Sequence, residues 1–177
     1  MRVIFVRHSE PDYSMLDRCE RPESYSGFGR DLAPLTEHGR HLARELAKKE
    51  VFQSADVIIS SSITRALETA TYIARETGLD LLVEPFFHEW RPDLMGSNNS
   101  VEAVVEASKT FWKNNGRLPE NSCYRYETAE QVKQRFLAAL EKYRGYDTVI
   151  IVTHGMLMRQ FVSQKEIAYG EILTVDL

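Results

Sequence analysis

The segment Arg2-Val3-Ile4-Phe5-Val6 runs without a break into Arg7-His8-Ser9-Glu10. Four apolar, mostly β-branched residues bounded by charge read as a short strand with both faces covered. The same pattern recurs at Asp56–Ser60 (Asp-Val-Ile-Ile-Ser), Leu81–Glu84 and Thr148–Val152 (Thr-Val-Ile-Ile-Val). Helical stripes separate these runs. Thr36 can cap a helix to about Lys49 that faces Leu42, Ala43, Leu46 and Ala47 inward. Ser62 can cap the next, where Ile63, Ala66, Leu67, Ala70, Ile73 and Ala74 repeat at helical spacing and Gly78 supplies the stop. Val101–Asn115 carries Val104, Val105, Phe111 and Trp112. Thr128 with Gln131 forms a capping box before Val132, Phe136, Ala139, Leu140 and Tyr143, a stripe that Gly145 ends. Ile172–Val175 reads as an edge strand. Strands alternating with helices predict an α/β three-layer sandwich: a mostly parallel central sheet flanked by helices.

The chain has 177 residues, a length expected to form a single domain over 1–177. Two irregular stretches, Ser9–Pro34 and Phe86–Ser100, are rich in Pro, Gly, Ser, Asn and aromatics. With the residues on to about 126, they are expected to act as loop or lid segments (9–34 and 86–126) walling a pocket. Composition is that of an ordinary globular protein, with 43% hydrophobic and 27% charged residues. No apolar run approaches the ~20 residues of a membrane span, so no membrane partner is expected. Too few residues precede Arg7-His8 for a signal peptide, which gives the expectation of a cytoplasmic enzyme. Cys19 and Cys123 lack metal-ligand spacing and are expected to be free thiols. The net charge is −4 and the basic residues are scattered, which argues against a nucleic-acid partner.

The chemistry-bearing residues are distributed in a telling way. Arg7-His8, Arg65, Glu89 and His154-Gly155 each follow one of the apolar runs. In an open parallel sheet the carboxyl ends of the strands share one edge, and ligands bind in the crevice there. Residues from 7 to 154 can thus meet at one point. Two arginines and two histidines make an anion site, since guanidinium groups match phosphate oxygens bidentately and stay charged. Phosphoryl transfer asks mainly for positioning and charge stabilisation, which Arg7, Arg65 and His154 can supply. His8, kept neutral by cationic neighbours, is the candidate nucleophile. Glu89 is the candidate proton donor and base, its pKa raised by burial beside Phe86, Phe87 and Trp90. Glu84, Asp93 and Glu102 are the competing acids. His38 and His41, three apart on a helix, read as a solvated face rather than a metal site. Arg30 and Arg91 are candidates for a second anion contact. His88, Trp90, Trp112, Tyr13 and Tyr25 receive no specific role.

In their order these residues resemble a known family. Arg7-His8-Ser9-Glu10 looks like the Arg-His-Gly signature of the histidine phosphatase (phosphoglycerate mutase-like) superfamily. Leu35-Thr36-Glu37-His38-Gly39 matches its Leu-Thr-x-x-Gly segment. Ser61–Ala70 is similar to its Ser-x-x-x-Arg-Ala-x-x-Thr-Ala helix, and Val152-Thr153-His154-Gly155 resembles its closing His-Gly. The resemblance implies a phosphohistidine at His8, acid–base work by Glu89, and phosphate held by Arg7, Arg65, His154, Gly155 and the residue at position 14. It also implies that neither metal nor cofactor is needed. Ser9 replaces the usual glycine and is expected to add a hydroxyl to the pocket. Ser14 stands where many members carry a phosphate-contacting asparagine, and the segment from Glu89 to Glu127 is short beside mutase insertions. The expected activity is therefore hydrolysis of a small phosphorylated metabolite. A phosphoglycerate mutase-type phosphotransferase and a non-catalytic phospho-ligand binding module are the alternatives. The oligomeric state is not legible.

Overall fold

A computed structural model describes residues 1–20, 28–96 and 100–177; Tyr25 lies outside them. Five strands, β1 (Arg2–Arg7), β2 (Val57–Ser60), β3 (Leu81–Val83), β4 (Thr148–Thr153) and β5 (Ile172–Asp176), form one sheet in the order β3-β2-β4-β1-β5. The first four are parallel and β5 runs antiparallel to β1 at the edge. Seven α-helices, α1 (Ser14–Asp17), α2 (Phe28–Asp31), α3 (Glu37–Ala47), α4 (Thr64–Thr77), α5 (Val101–Lys113), α6 (Ala129–Leu140) and α7 (Gly155–Met158), and three 3-10 turns, Glu50–Ser54, Pro85–Phe87 and Glu141–Tyr143, complete the elements of the described residues.

The two-residue period of the strands divides the core. Ile4, Val6, Ile58, Ile150 and Val152 face Leu46, Ala66, Ala70 and Ile73 of α3 and α4. Val3, Phe5, Val57, Ile59, Val149 and Ile151 face Phe111, Val132 and Phe136 of α5 and α6. Both faces of β1, β2 and β4 are thus covered, which is why these strands are apolar rather than alternating, whereas the edge strands β3 and β5 are partly exposed, contrary to the expectation for Leu81–Glu84. No helix among the described residues is long and apolar enough to cross a membrane. Cys19 and Cys123 are both free.

Register places the site. Arg7 lies opposite Thr153, while Ser60 lies opposite both Val152 and Val83. Residues 8, 61, 84 and 154 therefore leave the sheet side by side. Because β5 is antiparallel, its beginning sits at that same edge, with Ile172 paired to Val6. The turn before it, residues 164–171, is carried to the site as a result.

Several local expectations need correction. The N-cap of α4 is Ile63, not Ser62, and the Ser61 hydroxyl accepts the Ile63 N–H at 3.3 Å. Ser61 lies one residue nearer the strand end, where it is fully buried and can serve both the helix and a histidine. In α5 the buried stripe is Ala107 and Phe111; Val105 is 45% exposed. Gly145 does not stop α6, which ends at Leu140 and tightens into a 3-10 turn over Glu141–Tyr143. Thr36 caps α3, the Thr128–Gln131 capping box forms, and Gly78 ends α4 with φ +73°.

Candidate active site

His8 follows β1 directly, and its backbone N–H continues the ladder to Thr153 O at 2.9 Å. Its ring is buried, with Nδ1 2.7 Å from the Ser9 carbonyl oxygen and Nε2 3.1 Å from Arg65 Nε. A carbonyl can only accept and a guanidinium can only donate. We therefore assign the proton to Nδ1 and the lone pair to Nε2. Burial, then the charge of Arg65, lowers the His8 pKa well below 6.5, so the ring is neutral at pH 7.

Arg65 is in the first turn of α4 and buried. Its Nη1 donates to the Arg30 carbonyl at 2.9 Å, which ties α2 to the site. Thr69, one turn on, donates to the Arg65 carbonyl at 2.8 Å and accepts the Ser9 N–H at 3.0 Å. One hydroxyl thereby locks the helix to the strand end that carries His8. The Ser9 hydroxyl donates to Gly39 O at 2.7 Å instead of entering the pocket, contrary to the expectation from sequence. Gly39 itself has a steric reason: a Cβ there would stand 2.4 Å from Glu10 O. The Glu10 carboxylate, in turn, accepts from Thr36 Oγ1 at 2.7 Å and pairs with His38 at 3.0 Å.

His154 follows the neighbouring strand β4, which brings its ring centroid within 5.1 Å of that of His8. Its Nε2 lies 2.9 Å from Ser61 Oγ, and burial followed by the Arg65 charge lowers its pKa well below 6.5. Its Nδ1 is buried without a hydrogen-bond partner among the described residues, and so is Nε of Arg7. Arg7 donates through Nη1 to the Ile167 carbonyl and lies over the Tyr169 ring at 4.2 Å. Gly155 permits this approach, since a Cβ at that position would sit 3.3 Å from Arg7 Nε.

Glu89 emerges beyond the 3-10 turn Pro85–Phe87. Its carboxylate accepts the N–H of Trp90 at 2.8 Å and lies 3.4 Å from that of Met156. Burial raises its pKa, opposed by those two N–H groups and by the charges of Arg65 and Arg7. The neighbouring Phe87 and Trp90 are buried, while Phe86 is 53% exposed and shields little. Glu84 is spent on structure: it accepts from Lys142 Nζ at 2.7 Å, Tyr143 OH at 3.1 Å and Phe86 N at 3.1 Å, and its pKa is lowered. Asp93 Oδ1 accepts the Met95 N–H at 2.8 Å, and Glu102 is exposed in the first turn of α5. A buried pair holds the Glu89 segment. The Arg135 fork meets both Glu127 oxygens, at 2.5 and 3.0 Å, and also donates to the carbonyls of Phe86 and Glu89.

Of the seven residues singled out from sequence, Arg7, His8, Arg65, Glu89, His154 and Gly155 lie together. Ser14 opens α1, and both its N–H and its hydroxyl serve the Asp12 carboxylate, the N–H at 2.8 Å. His88 sits behind Glu89, with Nδ1 2.6 Å from the Glu89 carbonyl, and burial with the Arg135 charge lowers its pKa to about 4. The Arg30 side chain lies over the Tyr13 ring at 4.6 Å, and Arg91 is exposed, contributing its backbone N–H to Glu127. His38 pairs with Glu10, and no group of three or more potential metal ligands occurs among the described residues. Tyr169, whose ring is 5.5 Å from that of His8, carries no sequence signal beyond its place before an antiparallel edge strand. Ser61 and Thr69 were visible as motif letters, but their hydrogen bonds were not.

Comparison with known proteins adds to this geometry. A family model for the histidine phosphatase superfamily (branch 1) matches residues 3–168. The probable phosphoglycerate mutase GpmB of Photorhabdus laumondii is 27% identical over 168 residues, covering 89% of this chain and 71% of its own. The protein of the same name from Escherichia fergusonii is 25% identical, covering 92% of this chain and 74% of its own. Among solved structures, a mycobacterial glucosyl-3-phosphoglycerate phosphatase superposes with TM-score 0.73 at 18% identity, covering 99% of this chain and 89% of that one. The alpha-ribazole phosphatase of Shigella flexneri gives 0.65 at 23% identity, covering 100% and 91%.

Proposed function

The chain belongs to the histidine phosphatase superfamily, and from that premise we propose that it is a metal-independent phosphomonoesterase acting on a small phosphorylated metabolite through a phosphohistidine at His8. The observation that carries the reading is the fixed orientation of the His8 ring. Nδ1–H is held by a carbonyl and the Nε2 lone pair is turned toward a buried guanidinium. A substrate phosphate takes over the Arg65 N–H and frees Nε2 for in-line attack on phosphorus. Buried polar groups are rarely left unpaired, and the phosphate oxygens satisfy the two buried side-chain atoms that are among the described residues, Arg7 Nε and His154 Nδ1. In the first step the N–P bond forms, the P–O bond breaks, and Glu89 gives its proton to the leaving oxygen. In the second, Glu89 takes a proton from water as that water attacks phosphorus. The N–P bond breaks, inorganic phosphate leaves, and His8 and Glu89 are restored. Arg7, Arg65 and His154 hold the equatorial oxygens throughout. A one-domain chain in the cytoplasm, where Cys19 and Cys123 stay reduced, belongs to the same proposal.

The test is phosphate release from an aryl phosphate with excess chelator, for wild type and His8→Ala. Turnover in the first and none in the second is expected; equal rates, or a requirement for added metal, would overturn it. The curated relatives named as mutases favour a second reading, transfer of the phosphoryl group to another substrate hydroxyl. Isomerisation of monophosphoglycerate outpacing its hydrolysis by the phosphorylated enzyme would select that reading instead.

A further inference from the structure

The cleft that opens over Arg7 and Glu89 does not end at the phosphate. It has a volume of about 730 Å³ and runs past Gly155 and Met156 to Arg159, Lys165 and the turn Glu166–Tyr169. That is room for a metabolite-sized leaving group beyond the phosphoryl group. Its far end carries two cations that the phosphoryl chemistry does not use. Arg159 follows Gly155 by one helical turn, with its N–H bonded to Gly155 O at 3.1 Å, and so stands roughly 6 Å further along the α7 axis. Its guanidinium carbon lies over the indole of Trp112, 3.5 Å from the ring centre. A cation–π contact of this kind spends none of the N–H donors in a hydrogen bond and leaves them for a ligand.

No hydrogen bond or ion pair engages the side chain of Arg159 or Lys165 among the described residues. Two carboxylates line the same end. That of Glu171 is held inside the turn by Gln164 Nε2 at 2.5 Å and by the Ala168 N–H. That of Glu166 acts on Arg159 only as a distant charge, outside ion-pair range. A half-buried arginine without a carboxylate partner, in a chain of net charge −4, is a donor set with its acceptor still to come.

We propose that Arg159, assisted by Lys165, binds a second oxyanion on the leaving group, so that the preferred substrates are phosphomonoesters whose alcohol portion carries a carboxylate or a further phosphate. The proposal rests on the phosphatase reading and names its substrate class. Arg159 is a specificity-determining residue here and touches neither the phosphorus nor the scissile bond.

The experiment compares phenyl phosphate, 4-carboxyphenyl phosphate and phenylene-1,4-bisphosphate as substrates of wild type, Arg159→Ala, Arg159→Lys and Lys165→Ala. Wild type is expected to favour one of the two anionic esters over phenyl phosphate in kcat/KM, and the favoured one identifies the oxyanion. Arg159→Ala should reduce that preference by about 10- to 100-fold, chiefly through KM, as loss of a charge-assisted hydrogen bond does. Arg159→Lys should keep part of it, and Lys165→Ala, at an exposed position that does not threaten folding, should lose a smaller part. No preference in wild type, or the same preference in all four proteins, would overturn the subsite. Failure of wild type to release phosphate from any of the three would instead remove the phosphatase reading. The subsite is then judged by calorimetry with the same unreacted esters, and equal affinity of wild type and Arg159→Ala for them would end it.

Discussion

Acidifying the protein from about pH 7.5 to about pH 5.5 should strip it of much of its stability, because three imidazoles must fold uncharged. Burial, then the Arg65 guanidinium, holds His8 and His154 well below 6.5, and burial with Arg135 takes His88 to about 4. The unfolded chain binds these protons near pH 6.5 and the folded one does not, so stability is full above that value and falls as pH drops below it. Over the stated window each ring that stays neutral costs roughly 1.4 kcal/mol by proton linkage. His88, partly open to solvent, counts for about half of that. Glu89 works the other way: its folded pKa is raised, so the folded state gains its proton first and recovers part of the loss. Carboxylates whose pKa is lowered, such as Glu84, act only below about 4.5 and leave this window to the histidines. The net expectation is a loss of about 2 to 3 kcal/mol, a large share of a typical ~5–15 kcal/mol stability. Urea denaturation at the two pH values measures it directly. Equal unfolding free energies, or a gain on acidification, would mean that the imidazoles are not buried neutral and would refute the argument.

Gly39→Ala forces a Cβ to within 2.4 Å of backbone oxygen, and should cost about 1–3 kcal/mol in thermal or chemical denaturation and lower activity by moving the strand end. Gly78→Ala, with open space around it but φ +73°, should cost only the ~1–2 kcal/mol of the left-handed conformation. Arg135→Ala leaves Glu127 buried and unpaired, a loss of about 3–5 kcal/mol. Arg135→Lys keeps the charge but not the fork, so it should fold and show a lower kcat as the Glu89 segment loosens. For the reaction, kcat should fall on the alkaline side as Glu89 loses its proton, and Glu89→Gln should erase that limb while lowering kcat by about 10²- to 10⁴-fold. The loss should be larger for alkyl esters, whose leaving oxygen needs the proton, than for nitrophenyl phosphate; an equal loss on both would deny Glu89 its role as acid.

The four parallel strands, the two core faces, the caps at Thr36 and Thr128 and the stop at Gly78 could all be read from the chain. Each is set by local chemistry: a hydrophobic period, a hydroxyl within reach of its own helix, or a left-handed residue. The same holds for Arg7, His8, Arg65, Glu89 and His154, because a parallel sheet gathers whatever follows its strands at one edge. Ser61 displacing Ser62 as hydrogen-bond acceptor, Ser9 turning to Gly39 and Ser14 to Asp12 were not legible. A small hydroxyl has several acceptors nearby, and the choice depends on which backbone packs against it. The tautomer of His8 required both Ser9 O and Arg65 Nε to be placed. Tyr169 enters the cleft only because an antiparallel edge strand begins where the parallel ones finish, and there it meets Arg159 at the end of α7. Strand direction at an edge is decided by long-range pairing, and no local pattern in the chain encodes it.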